Sequence, residues 1–190
     1  QNPRTLFEDN KKKVTLEQFS WNDNKISSHF IVFLKSMKKL RRLFLNNCPN
    51  FSQYSSTLSS HFIAKSDTLS ELYIEKADGS SFNEENSFST FFKKCQSSTS
   101  LRLLDVRMCN IGSDGLASLG NLVKKCQSGH FNQVAFDGSS VESFEDIEDF
   151  LAVCQQRVKS ANKKKKKKNR FRLFVELPSH DLRSLKVSEG

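Results

Sequence analysis

Five cysteines, four histidines and one carboxylate-rich stretch carry this chain's capacity for catalysis or metal binding. A common zinc site needs ligand pairs such as Cys-x-x-Cys, whereas Cys48, Cys95, Cys109, Cys126 and Cys154 are separated by 47, 14, 17 and 28 residues. Cys95, Cys126 and Cys154 stand at apolar helix positions and Cys48 and Cys109 at strand ends. They read as small core hydrophobes, with a metal or redox role as the alternative. Buried, unpaired thiols point to a reducing compartment, so a cytoplasmic location is expected. His29, His61, His130 and His180 form no nucleophile–base arrangement with a Ser or Cys. Gly112, Gly115 and Gly120 lack the spacing of a phosphate-binding loop. Glu142, Glu145, Asp146, Glu148 and Asp149 interleave with Phe144, Ile147, Phe150 and Leu151 at helical spacing. They read as the exposed face of an amphipathic helix, with acids near its positive N-terminal end. The expectation is a chain that is not an enzyme, with no cofactor, metal or small-molecule substrate.

The chemistry that remains is recognition. Lys163, Lys164, Lys165, Lys166, Lys167 and Lys168 form an unbroken run flanked by Arg157, Lys159, Arg170 and Arg172. Without those six the formal net charge of +9 would fall to +3. Like charges this close repel, so the run reads as a solvated loop insertion spanning residues 161–170. Three readings compete: a tolerated low-complexity insertion, a contact for an acidic protein tail or an anionic membrane, and a nucleic-acid tether. No aromatic residue interrupts the run to stack on bases, which weighs against the last.

These residues are positioned by a recurring phrase of three apolar residues spaced x-x and x. It reads Leu40-x-x-Leu43-x-Leu45, Leu69-x-x-Leu72-x-Ile74, Leu101-x-x-Leu104-x-Val106 and Phe131-x-x-Val134-x-Phe136, with an earlier copy at Leu16-x-x-Phe19-x-Trp21. Leu182-x-x-Leu185-x-Val187 offers a sixth. Starts from Leu40 onward are 29, 32 and 30 residues apart, and then 51, which requires an insertion. The alternation predicts a short half-buried strand. Helical apolar periods follow at Phe30, Phe33, Leu34, Met37 and at Leu116, Leu119, Leu122, Val123, Cys126, with a further one at Phe144, Ile147, Phe150, Leu151, Cys154. Phe91–Ser97 and Leu122–Ser128 repeat a helix end with paired lysines, and Leu151–Gln156 is a third copy. Ser27-Ser28-His29 and Ser59-Ser60-His61 both read as helix starts with a Ser cap.

Strand plus helix at this period resembles the leucine-rich repeat proteins of the ribonuclease-inhibitor-like class. The family's strand-end Asn survives only at Asn24; Cys48, Ala77, Cys109 and Ser139 replace it elsewhere, and Phe replaces many leucines. Such divergence resembles irregular intracellular repeat domains, including those of the actin-regulatory CARMIL proteins and tropomodulin. The resemblance implies a right-handed α/β solenoid with a parallel concave sheet and convex helices. It also implies a scaffold for a protein partner, in an actin or wider cytoskeletal setting. Residues 1–13 read as the end of a preceding repeat or cap, 14–160 as repeats, and 171–190 as an extra strand and the start of a further repeat. The chain begins without Met or a signal-peptide pattern, so a fragment of a longer protein is expected. No apolar run approaches the roughly 18 residues of a membrane span. A mean hydropathy of −0.55 predicts a soluble chain. The 17 Phe against 7 Gly and 3 Pro predict a bulky core.

In such a sheet the residues between the apolar positions face out. They form three columns: Gln18, Arg42, Glu71, Leu103, Gln133; then Ser20, Phe44, Tyr73, Asp105, Ala135; then Asn22, Asn46, Glu75, Arg107, Asp137. Phe44 beside Tyr73 reads as a partner-binding anchor or as a cross-strand pair that only stabilises the sheet. Around it Arg42, Asn46, Glu71, Glu75, Asp105, Arg107 and Asp137 complete the candidate partner-binding set. Its charges are mixed in sign, which suits a protein surface better than a polyanion. The alternative function is polyanion binding (nucleic acid, acidic tail or anionic membrane) through Lys163–Lys168.

Overall fold

The computed structural model describes residues 16–77, 87–128, 130–138, 141, 143–164 and 171–176. Strands and helices alternate in chain order. The strands are β1 (Gln18–Asn22), β2 (Arg42–Asn46), β3 (Glu71–Glu75), β4 (Leu103–Val106), β5 (Gln133–Asp137) and β6 (Arg172–Glu176). The helices are α1 (Ser28–Ser36), α2 (Phe51–His61), α3 (Ser87–Cys95), α4 (Gly112–Lys125) and α5 (Phe144–Lys164), with a short 3-10 turn at Ile63–Lys65. All six strands lie in one sheet in sequential order, and every pair is parallel. Successive helices pack on one another behind it.

The phrase makes this arrangement because its apolar residues all point one way. Leu40, Leu43 and Leu45 are at most 1% exposed, as are Leu69, Leu72 and Ile74, and Leu101, Leu104 and Val106. Bulky rings fill the space between sheet and helices: Phe51, Phe88, Phe91 and Phe92 meet one another at centroid distances of 5.1–6.3 Å. Two of the apolar residues in these patterns stay exposed. Leu16 is 43% exposed because it precedes β1, the edge strand of the described sheet. Phe144 is 37% exposed because it opens α5 before the helix meets the core through Ile147 and Phe150.

Each of the first four strands leaves the sheet through the same left-handed residue: Asp23, Asn47, Lys76 and Met108, with φ between 51° and 57°. Asp and Asn tolerate this region and Lys and Met do so less readily, so the turn is imposed by the repeat. One residue later comes the position where the family carries Asn. At Cys48 the thiol donates to the carbonyl oxygen of Trp21 at 3.5 Å, and at Cys109 it donates to that of Ile74 at 3.2 Å. Trp21 and Ile74 are the third apolar residues of the preceding strands. These two thiols therefore tie the second and fourth repeats to the ones before them. At the other end of the strands serines do similar work: Ser70 Oγ donates to the Arg41 carbonyl at 3.2 Å and Ser100 Oγ to that of Leu69 at 2.8 Å.

Two expectations are corrected. Ser27 caps α1, accepting from the Phe30 amide at 3.1 Å, but Ser59-Ser60-His61 closes α2 rather than opening a helix. There Ser59 and Ser60 donate to carbonyls one turn back, at 2.7–3.0 Å. A serine hydroxyl can cap or back-bond, and the local sequence does not say which. Leu151–Gln156 is not a helix end, since α5 continues to Lys164 and takes Lys163 and Lys164 into its last turn. The segment read as an extra strand is the sixth member of the same sheet, with Val134 opposite Leu173 and Phe136 opposite Val175. Phrase matching passed over it because Arg170 stands three residues before Leu173, where the first apolar residue is required. The copy at Leu182–Val187 and Lys165–Lys168 lie outside the described residues.

Candidate interaction face

The pairing register places the predicted columns across adjacent strands. Gln18, Arg42, Glu71, Leu103 and Gln133 form one row, and Arg172 extends it. Ser20, Phe44, Tyr73, Asp105, Ala135 and Phe174 form the next. In the third row Asn22, Asn46 and Glu75 pair in register, as do Asp137 and Glu176. Arg107 falls just beyond β4, in the turn.

The rings of Phe44 and Tyr73 lie face to face, with centroids 4.4 Å apart and planes 5° from parallel. The Tyr73 hydroxyl donates to Glu71 Oε2 at 2.9 Å, and Arg102 Nη2 donates to Glu71 Oε1 at 2.5 Å. Burial, then the acceptor role of Glu71, push the Tyr73 phenol above its ordinary value. Asp105 is 4% exposed. The Arg107 guanidinium folds over it, donating from Nε at 3.0 and 3.1 Å and from Nη2 at 2.8 Å, while the Arg107 amide donates at 3.1 Å. Glu71, Arg102, Asp105 and Arg107 thus neutralise one another locally, and an aromatic platform stands among paired charges.

The expectation that every in-between residue faces solvent is corrected at Leu103, Asp105 and Ala135, which are 6, 4 and 4% exposed. Neighbours within a row stand on strands only about 4.8 Å apart, so large ones shade small ones: Ala135 lies between Asp105 and Phe174, and Asp105 lies under Arg107 beside Tyr73. Asn46 Oδ1 is also shut away from solvent, without a hydrogen bond. Arg42 remains exposed, and Glu75 and Asp137 partly so. Two residues were missed. Phe174, half exposed, adds a third aromatic to the row of Phe44 and Tyr73. Arg102 was passed over because it precedes its strand, though it lies 31 residues from the carboxylate it binds, one repeat away.

All five cysteines are buried and free. Burial raises Cys48 to about 11 and Cys109 and Cys154 to about 12, and the Asp23 charge adds to the effect at Cys48. Among the described residues no three His, Cys, Asp or Glu side chains gather into a metal-binding group. None of the described helices is long and apolar enough to cross a membrane.

A sequential parallel sheet backed by one helix per repeat, with interior-facing residues in the spacing of the phrase, defines a leucine-rich repeat solenoid. The chain matches no protein-family model and no curated protein sequence. It is similar in fold to a solved structure described as leiomodin-1 actin-binding site 2, with a TM-score of 0.52 at 12% identity, over 76% of this chain and 83% of that one.

Proposed function

We propose that this solenoid is a non-catalytic scaffold that binds a protein partner through its sheet face, in a cytoplasmic, actin-regulatory setting. The observation that carries this reading is the row of Phe44, Tyr73 and Phe174, held on a rigid sheet among mutually neutralised charges. Aromatics fixed at low entropic cost, with polar groups around them already paired, are what an interface anchor requires. A polyanion would meet the partly exposed Glu75 and Asp137 on this face. The actin setting is supported by the structural likeness to leiomodin-1 actin-binding site 2 and by the resemblance to CARMIL and tropomodulin repeats.

The test measures binding of the whole chain to monomeric and filamentous actin by fluorescence titration and cosedimentation, for the native chain and for Phe44→Ala/Tyr73→Ala. Loss of about 2 kcal/mol or more in the variant, roughly a thirtyfold weaker Kd, is the expected signature of an anchor. Binding unchanged by the double substitution would remove the sheet face from the interface. Failure of the native chain to bind either form of actin would refute the actin setting.

A further inference from the structure

In a parallel strand–helix solenoid every helix runs back against the strands. The C-termini of the five described helices and the N-termini of the six strands therefore lie along one edge, and the helix N-termini along the other. The strands start in common register, from Gln18 through Arg42, Glu71, Leu103 and Gln133 to Arg172, so these ends sit at one level.

The charges sort by edge. α4 ends in exposed Lys124 and Lys125, and Lys94 is exposed in the last turn of α3. Exposed Lys38, Lys39 and Arg41 follow α1. Lys159 is exposed on α5, which brings Lys163 and Lys164 to the same edge. Among the described residues the carboxylates there are Glu17, Asp67 and Glu71, and Arg102 holds Glu71. The opposite edge carries Asp23, Glu75, Asp114, Glu145 and Asp146 against the exposed Lys25 and Lys76, with Arg107 turned onto Asp105. Helix dipoles favour cations in a last turn, but Lys38, Lys39 and Arg41 lie beyond the end of α1 and need another reason. Within this edge a cleft of about 490 Å³ opens beside the ends of α1 and α2, lined by Lys35, Lys38, His61 and Lys65 together with Asp67.

We propose that this basic edge docks on an anionic phospholipid bilayer, with a headgroup phosphate accommodated in the cleft. A bilayer is flat, and chain ends held at one level let lysines from several repeats touch it together. The exposed cations are mostly lysines, compact point charges rather than the planar forks that read phosphates and bases in pairs. No exposed Phe, Tyr or Trp stands among the described residues of this edge to stack on bases. Docking by the edge leaves the sheet face open to a protein partner.

The test is cosedimentation of the whole chain with vesicles of phosphatidylcholine alone and of phosphatidylcholine with about 30% phosphatidylserine, at about 0.1 and about 0.5 M salt. The chain is expected on the anionic vesicles only, and to be released at the higher salt. Each contacting lysine contributes about fivefold. Lys39→Gln/Lys94→Gln and Lys124→Gln/Lys125→Gln should therefore each weaken partitioning at least about tenfold, while circular dichroism shows an unchanged melt. Lys25→Gln/Lys76→Asn, on the opposite edge, should partition like the native chain. Equal binding to neutral vesicles would overturn the proposal. So would Gln variants that bind normally while replacement of Lys163–Lys168 by Gly/Ser abolishes binding. Tighter binding to duplex DNA than to anionic vesicles at the same salt would assign the edge to nucleic acid instead.

Discussion

The Phe44–Tyr73 stack can be measured without any partner. A fully buried Phe contributes about 1.5–3 kcal/mol; half buried, Phe44 should lose about 1–1.5 kcal/mol on truncation to Ala. Tyr73→Ala removes a similar area and also a hydrogen bond to the Glu71 carboxylate, which partial exposure limits to about 0.5–1 kcal/mol, for a total of about 2 kcal/mol. At 4.4 Å and 5° the two rings are in direct contact, and such pairs carry about 0.5–1.5 kcal/mol beyond area burial. The double variant should therefore be less destabilised than the sum of the singles by that amount. Urea unfolding followed by far-UV circular dichroism reads each value. At a slope of about 2.5 kcal/mol per M, Phe44→Ala shifts the midpoint by about 0.5 M. Tyr73→Phe, which keeps the ring, should retain the coupling. A coupling below about 0.3 kcal/mol would mean that the rings are not stacked in solution, and the case for a preformed anchor would go with it. A large coupling combined with unchanged partner binding would identify the pair as a cross-strand stabiliser of the sheet.

Gly120 lies inside α4, and a Cβ there would meet Phe150 Cδ2 at 3.5 Å, an ordinary contact; Gly120→Ala should raise stability by about 0.5–1 kcal/mol in thermal or urea unfolding. Arg157 donates to the carbonyls of Val123, Ser128 and Phe131 and sits 5.8 Å from the Phe131 ring centroid. Arg157→Met should cost about 2–3 kcal/mol, and a loss under about 0.5 kcal/mol would show that water replaces it. Burial raises the folded Cys48 and Cys109 thiols from an ordinary value of 9.0 to about 11 and about 12. The unfolded chain releases these protons first, so the thiols' contribution to stability is full below pH 9.0 and falls as pH rises towards those values. Stability measured at pH 8 and pH 10 by urea unfolding should show the loss, and Cys48→Ala/Cys109→Ala should lessen it, the remainder belonging to Cys95, Cys126 and Cys154, whose thiols burial also raises. Tyr73 should ionise above the ordinary tyrosine range in a Tyr54→Phe background, read by absorbance near 295 nm; Glu71→Gln should bring it down.

The repeat phrase predicted β1 to β5 and their register because a period of two leaves a strand one way to bury its apolar face. It failed at β6, where Arg170 breaks the phrase but Leu173 and Val175 still meet Val134 and Phe136. Phe174 was invisible for the same reason, since a residue's row is known only once its strand is placed. Cys48 and Cys109 read as departures from the family's Asn, yet their thiols keep the hydrogen bonds between repeats.

Apolar spacing alone was enough to specify strands, helices and the stacking of repeats, because burial responds to periodicity and each repeat buries its apolar face against the next. Local order along the chain likewise put lysines at the ends of α3 and α4. Whether those lysines share a surface and which carboxylate Arg102 holds depended on contacts between residues about 30 positions apart. Those contacts exist only after the strands stack, because it is the sheet that turns a repeat period along the chain into a distance of a few ångströms in space.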